Sequence, residues 1–174
     1  ILVTDNDAFD FIVNNRKDLF PDVPVVFCGL NYYQETMLAG QARITGVLES
    51  IDYGATIDMA LQLRPSARRV VVISDRTTTG IAHENAVRLL VTGYQGRIEF
   101  DFLSLGDMTM PELLSQVRNL DDRHVILLLS QFMDSSGRFF SLSQGVELVS
   151  RNASVPSFAV TDTRIGIGAV GGKV

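Results

Sequence analysis

The chain has 174 residues, of which 46% are hydrophobic and 20% are charged, a balance typical of a soluble globular protein. Its net charge of −5 and its isoelectric point near 4.9 argue against nucleic acid as the main partner, which would need a basic face. The single cysteine, Cys28, excludes an intrachain disulfide and a cysteine-based metal cluster.

The first fifty residues predict two strands with a short helix between them. Ile1–Val3 and Val23–Cys28 are apolar runs, and Ala8–Asn14 is expected to be helical. Ile44–Leu48 predicts a further brief extended piece, and a helix is expected from about Gly54 to Leu63. The chain starts without methionine, inside a strand pattern, so we expect a piece of a longer protein. Any contact with a membrane would come through parts not included in this sequence.

The stretch Arg68–Gly80 organises the rest of the chain. Val70–Ile73 is a continuous β-branched run, which is typical of a strand buried on both faces of a parallel sheet. The turn Asp75–Gly80 follows it, and a helical pattern begins at once. Open α/β sheets bind their ligands where such strands end and helices begin. We therefore expect half of a binding site there.

The second half of the chain repeats this alternation. Arg97–Leu105 alternates apolar and polar residues, which predicts a half-exposed strand near a sheet edge. Helices are expected to begin at Thr109 and Ser141, where capping-box spacing occurs. His124–Leu129 and Val155–Val160 predict buried strands. Strands recur roughly every 30 residues, so the fold class is α/β with doubly wound parallel sheets.

The strand count predicts two Rossmann-like lobes, of which the amino-terminal one is incomplete. Residues 1–44 would be the remnant of that lobe and residues 54–163 a complete carboxyl-terminal lobe. Residues 45–53 and 164–174 would be a hinge crossing and a returning hinge strand. This organisation is typical of a hinged binding protein.

Two motifs suggest chemistry that their context does not support. Gly166–Gly171 matches the dinucleotide pattern GxGxxG, but no strand, helix and acidic residue stand where that motif needs them. No cofactor is therefore expected. His83-Glu84 lacks a second histidine four positions on, so we expect no metal and a polar side that faces solvent. With two histidines and one cysteine, no catalytic triad has a convincing set of members.

Polar residues follow every predicted buried strand, and these strand ends share one edge of a parallel sheet. As candidate ligand-binding residues we take Asp5, Asn31, Tyr32, Asp75, Thr77, Thr78, Thr79, Gln131, Asp134 and Asp162. We expect the Asp75 carboxylate at the cleft edge, where it would accept from a ligand ammonium or hydroxyl group. Thr77–Thr79 can offer backbone N–H groups to an anion. The alternative is that each of these residues only caps a helix.

Several segments resemble the ABC-transporter substrate-binding-like family of type I periplasmic binding folds. They are, in order, Pro24–Phe27, Ile44–Val47, Leu63–Pro65 and Arg68–Asp75. The resemblance implies two lobes that close on a small organic molecule, in some members an aromatic amino acid. Where the family often has an Asn-Ser pair that contacts the ligand carboxylate, this chain has Thr77–Thr79. Versions with such changes resemble extracytoplasmic sensor domains of bacterial histidine kinases and diguanylate cyclases.

The predicted function is non-catalytic binding of a small organic ligand, an amino acid or similar metabolite, in a cleft between lobes. The protein would work outside the cytoplasmic membrane, in the periplasm or an equivalent space, as a sensor input domain or as an ABC-transport receptor. A homodimer is compatible with the sequence. The alternative is an enzyme of Rossmann-like or flavodoxin-like build, which would need an activated nucleophile or a phosphate-binding glycine loop. Neither is visible in the sequence.

Overall fold

The computed structural model describes residues 1–30, 33–48 and 51–173. The chain divides into two compact units, Ile1–Ser50 and Ile51–Val174, which we call unit 1 and unit 2. Each contains its own parallel sheet. The predicted α/β class with parallel sheets is therefore confirmed.

Unit 1 is a three-stranded parallel sheet with one long helix. Its elements are β1 (Leu2–Thr4), α1 (Asn6–Leu19), β2 (Val25–Leu30), a 3-10 turn (Glu35–Leu38) and β3 (Ile44–Leu48), in the sheet order β1-β2-β3. Phe9 and Ile12 of α1 pack on Val3, Val25 and Phe27 of the sheet. Helix α1 is longer than the predicted Ala8–Asn14.

Unit 2 contains four parallel strands in the order β5-β4-β6-β7. Its helices are α2 (Tyr53–Leu63), α3 (Thr78–Leu90), α4 (Met110–Arg118) and α5 (Leu142–Asn152). Its strands are β4 (Arg69–Ser74), β5 (Glu99–Ser104), β6 (His124–Leu128) and β7 (Ser157–Ala159). Strand β5 lies at the edge of the sheet, as its alternating pattern predicted.

Strand β4 separates two apolar layers, which explains its continuous β-branched sequence. Val70 and Val72 point into a core that includes Ile57 of α2 and Val87 of α3. Val71 and Ile73 point the other way, into a core that α4 and α5 supply. Helices thus cover both faces of the unit 2 sheet, which is the doubly wound arrangement.

The two predicted hinge segments make contacts within the units. Residues 45–48 of the first segment belong to β3, which pairs with β2 in unit 1, while residues 49 and 50 lie outside the described residues. The segment 164–174 runs beside β7, where Ala159 N donates to Gly171 O at 2.9 Å and Val170 N donates to Ser157 O at 2.8 Å. A Cβ on Gly172 would lie 1.7 Å from Ala159 O, so this close approach explains the glycine there. A hinge role for either segment stays a prediction.

Candidate ligand-binding edge of unit 2

The carboxyl ends of the four strands bring four loops to one edge of the unit 2 sheet. They follow β4 at residues 75–77, β5 at 105–109, β6 at 129–141 and β7 at 160–161. The loop after β4 leads directly into α3. Because the strands are parallel, predicted site residues from distant parts of the chain meet here.

Asp75 is fully buried, and its carboxylate holds two of these loops together. One oxygen, Oδ1, accepts from Thr77 N at 3.0 Å and also from the Thr77 hydroxyl group. The other oxygen, Oδ2, accepts from the backbone N–H of Phe132 at 2.6 Å. The expectation that this carboxylate is presented at the cleft edge is therefore wrong. It points inward because the turn before α3 and the loop after β6 both supply donors.

Thr77 and the two threonines after it have different surroundings. Thr77 Oγ1 accepts from Gly80 N at 3.1 Å, so Thr77 is the N-cap of α3. Thr78 and Thr79 form the exposed first turn of this helix, where backbone N–H groups have no intrahelical acceptor. A Cβ on Gly80 would lie 2.2 Å from Asp75 Oδ1, so α3 begins in close contact with the buried carboxylate.

Gln131 is also buried and directed inward. Its Nε2 donates to Ile73 O at 3.3 Å, and its Oε1 accepts from Arg164 Nη1 at 3.4 Å. The side chain therefore links the end of β4 to the turn after β7, and its amide is not turned toward solvent. A Cβ on Gly145 would lie 2.7 Å from Gln131 O, because α5 packs directly on this residue.

Arg164 is a residue of this edge that the sequence analysis did not select. It is 5% exposed and donates to the carbonyl oxygens of Leu128 and Leu129 as well as to Gln131. Burial lowers the pKa of Arg164 to about 10, while the negative charge of Asp75 acts in the opposite direction. The signal in the sequence was a lone arginine shortly after a buried strand, which alone does not distinguish a buried side chain from an exposed one.

Asp134 shapes the long loop after β6. Its Oδ1 accepts from the backbone N–H groups of Ser136 and Arg138, at 3.0 and 3.1 Å, and its Oδ2 accepts from Met110 N at 3.1 Å. Burial opposes ionisation, but these bonds and one from the Ser136 hydroxyl group hold the pKa of Asp134 below its usual value. Asp134 therefore closes a turn and caps α4, and the residue is 4% exposed.

His83 and Glu84 of α3 lie under the same edge, although a solvent-facing role was expected. His83 is 7% exposed, and its Nδ1 lies 2.6 Å from the hydroxyl oxygen of Tyr53. Burial and the nearby charge of Arg164 lower the pKa of His83, against a smaller opposite effect of Asp75. Glu84 binds the Ser74 hydroxyl group and Arg88. The solvent-facing expectation fails because this face of α3 packs on the sheet.

The remaining predicted residues are exposed or lie elsewhere. Asp162 is exposed beside Thr161 and Thr163 after β7, and the hydroxyl groups of these two threonines lie 3.0 Å apart. Asp5 belongs to unit 1, where it is the N-cap of α1 and accepts from Asn6 N at 2.7 Å. The predicted site residues Asn31 and Tyr32 lie outside the described residues.

The edge of unit 2 thus has two layers. The inner layer is buried and hydrogen-bonded and consists of Asp75, Gln131, Asp134 and Arg164. The outer layer is exposed and polar and consists of Thr78, Thr79, Asp162 and Thr163. Within residues 1–30, 33–48 and 51–173, no group of three or more His, Cys, Asp or Glu side chains is arranged to hold a metal ion. In the same residues, no helix is both long and apolar enough to span a bilayer.

The fold and edge define a class, an α/β protein with parallel sheets and a polar carboxyl edge. Among solved structures, the chain is similar to a protein assigned as a branched-chain amino acid ABC transporter from Rhodospirillum rubrum. The match has a TM-score of 0.49 and 12% sequence identity, and it covers 94% of this chain and 45% of that chain. No family model and no curated protein matches the chain.

Proposed function

We propose that the carboxyl edge of unit 2 binds a small organic ligand, an amino acid or a similar metabolite, without catalysing a reaction. The main observation in support of this proposal is the two-layered edge, in which exposed polar groups lie over a buried hydrogen-bonded layer. A ligand site needs polar groups that hold fixed positions before the ligand arrives. The hydrogen bonds of the inner layer hold these polar groups in position.

The inner layer supports the proposal because it connects the loops after three different strands. Asp75 joins the β4 exit to Phe132 after β6, and Arg164 joins the β7 exit to Leu128 and Leu129. Hydrogen bonds between loops restrain the surrounding backbone, although Nε of Arg164 is buried without a partner among the described residues. Less conformational freedom then remains to be lost on binding, which favours affinity.

The outer layer supports a ligand that carries both charges of an amino acid. The exposed first turn of α3 at Thr78 and Thr79 favours a carboxylate, through its backbone N–H groups and the helix dipole. Asp162, exposed after β7, supplies a carboxylate that a ligand ammonium group could bind. Thr161 and Thr163 add hydroxyl groups beside it.

The proposed role is that of an extracytoplasmic receptor, either the input domain of a signalling protein or the binding protein of an ABC transporter. The support is the resemblance of the segments that lead up to Asp75 to the substrate-binding-like family. The full-length gene separates the two roles. A lipoprotein signal would favour transport, and a membrane-spanning helix followed by a kinase or cyclase module would favour signalling.

Thermal denaturation in the presence of each of the twenty amino acids tests ligand binding. At least one of them is expected to raise the melting temperature in a saturable way, because a ligand that binds the folded state stabilises it. Thr79→Arg, which places a bulky side chain on the outer layer, should abolish the shift. The matched control Thr92→Arg lies away from the edge and should keep it. The absence of any saturable shift, or an equal shift in Thr79→Arg, would contradict the proposal.

A further inference from the structure

A groove on unit 2 lies beside α5 and does not include the residues proposed for ligand binding. We call it the α5 groove. It is a cavity of about 470 Å³ whose lining includes Arg138, Phe139, Phe140, Gln144, Leu148 and Arg151. The loop after β6 forms one wall, and α5 forms the other.

The groove combines an exposed aromatic ring with positive charge. Phe139 is 74% exposed, and the guanidinium group of Arg138 lies 5.2 Å from the ring centre of Phe140. Arg151 pairs with Glu147 at 2.5 Å but keeps 77% of its side chain exposed. Among the described residues of the lining, one is acidic, Glu147, and two are arginines. The groove is therefore a positive surface on a chain of net charge −5.

Helix α1 of unit 1 carries the complementary pattern. Asp7, Phe11, Asn14 and Asp18 stand at positions i, i+4, i+7 and i+11, so they form one stripe along the helix, and all four are exposed. Phe11 is 54% exposed. Among the described phenylalanines, Phe11 and Phe139 are the two with more than half of their surface exposed. One lies between carboxylates and the other between arginines.

We propose that the α5 groove receives helix α1 of a second copy of this chain. Phe11 packs against Phe139 and Leu148, while Asp7 and Asp18 face Arg138 and Arg151. An amphipathic helix in a groove is a recurring mode of protein recognition, and opposite charges at its rim set the orientation. Two copies that make this contact reciprocally form a symmetric dimer, whereas contacts in one direction only build a closed ring or an open chain of copies. This assembly goes beyond the proposed ligand binding and does not depend on it.

Analytical ultracentrifugation over a range of about 10 µM to 1 mM tests the association, which is expected to be weak because the surface is small. The parent chain should associate as its concentration rises. The association should be weaker in about 0.5 M salt, because salt screens the attraction between the charged side chains. Phe139→Ser should weaken the association about tenfold or more, since a central aromatic carries much of an interface. Because Phe139 is exposed, this change should leave the fold intact, which circular dichroism verifies.

Charge reversal identifies the partner surface. The double variant Arg138→Glu with Arg151→Glu should remain monomeric, because its groove and helix α1 are then both negative. The double variant Asp7→Lys with Asp18→Lys should also remain monomeric, because both surfaces are then positive. Mixing these two double variants should restore association, since each offers a surface complementary to the other. Arg97→Glu with Arg123→Glu, two exposed arginines outside the groove, is the matched control and should associate like the parent. A parent that is monomeric throughout, or a mixture that stays monomeric while the parent associates, would overturn the proposal. A chain that stays monomeric while its α5 groove binds another ligand would also overturn the proposal.

Discussion

The carboxylate of Asp75 accepts a 2.6 Å hydrogen bond from the backbone N–H of Phe132, which lies 57 residues further along the chain. This bond joins the exits of the neighbouring strands β4 and β6 and is buried from solvent on the Asp75 side. Charge-assisted hydrogen bonds of this kind are among the strong ones in proteins. Asp75 therefore fixes the loop that leads into the first turn of α3 to the loop after β6.

Asp75→Ala is expected to destabilise the chain by about 3 kcal/mol, because it leaves the partly buried N–H groups of Thr77 and Phe132 without this acceptor. Urea denaturation measures the change in the free energy of unfolding. Asp162→Ala, at the exposed aspartate of the same edge, is the control and should change it by less than about 0.5 kcal/mol. Equal, small effects of the two substitutions would contradict the structural role of Asp75.

Gly80→Ala should be strongly unfavourable, although alanine is normally the better helix residue. Its Cβ would lie 2.2 Å from Asp75 Oδ1 and 2.6 Å from Ser130 Oγ, so the polar layer would have to move. We expect a loss of about 2 kcal/mol, typical of overpacking. Gly93→Ala is the matched control, since nothing lies within 4 Å of its added Cβ. Thermal unfolding of both variants tests this, and a Gly80→Ala chain as stable as the control would refute the close contact.

The stability of unit 2 should fall with acidification because of His83. Burial and Arg164 lower the pKa of His83 in the folded chain, whereas an unfolded histidine titrates at about 6.5. Below about pH 6.5, His83 is protonated in the unfolded chain but stays neutral in the folded chain. The free energy of unfolding therefore decreases as the pH falls from there toward the pKa of His83 in the folded chain. His83→Gln, which keeps an acceptor for Tyr53, should flatten the pH dependence between about 7.5 and 5.5.

Melting temperatures across this pH range, for the parent, His83→Gln and His124→Gln, provide the test. His124→Gln removes the other histidine without altering the Tyr53–His83 contact, so the His83-dependent fall should remain. If His83→Gln kept the full pH dependence of the parent, the buried position of His83 would not be its source.

Arg164→Met should destabilise the chain by about 2–3 kcal/mol. It keeps much of the side-chain volume but leaves the carbonyl oxygens of Leu128 and Leu129 and the Gln131 amide oxygen without this donor. Arg118→Met removes an exposed arginine that binds Asn152 and should cost less than about 1 kcal/mol. Urea denaturation of the two variants would contradict the account if their losses were equal.

The fold of unit 2 could be predicted because its signals are local. The β-branched run at Val70–Ile73 and the capping boxes at Thr109 and Ser141 each specify an element through residues close in sequence. Strand β3 has the bounds Ile44–Leu48 that were predicted for a brief extended piece, although four of its five residues are exposed. Its pairing with β2 is what makes it a strand.

The position of several candidate residues at one sheet edge could be predicted, but the direction of their side chains could not. Parallel topology brings the strand exits to one edge, so Asp75, Gln131 and Thr77–Thr79 come together as expected. Which side chains turn inward depends on donors supplied from far along the chain, such as Phe132 for Asp75 and Arg164 for Gln131. A single sequence does not reveal those long-range partners, which is why Arg164 and the burial of His83 were missed.

The most direct test of ligand binding at this edge is amide chemical-shift mapping by NMR on the ¹⁵N-labelled chain. Each of the twenty amino acids is added in turn, up to about 10 mM, which detects weak binding. At least one amino acid is expected to produce saturable shifts concentrated at Thr78, Thr79 and Thr161–Thr163. Saturable shifts confined to other surfaces, or none for any amino acid, would contradict it.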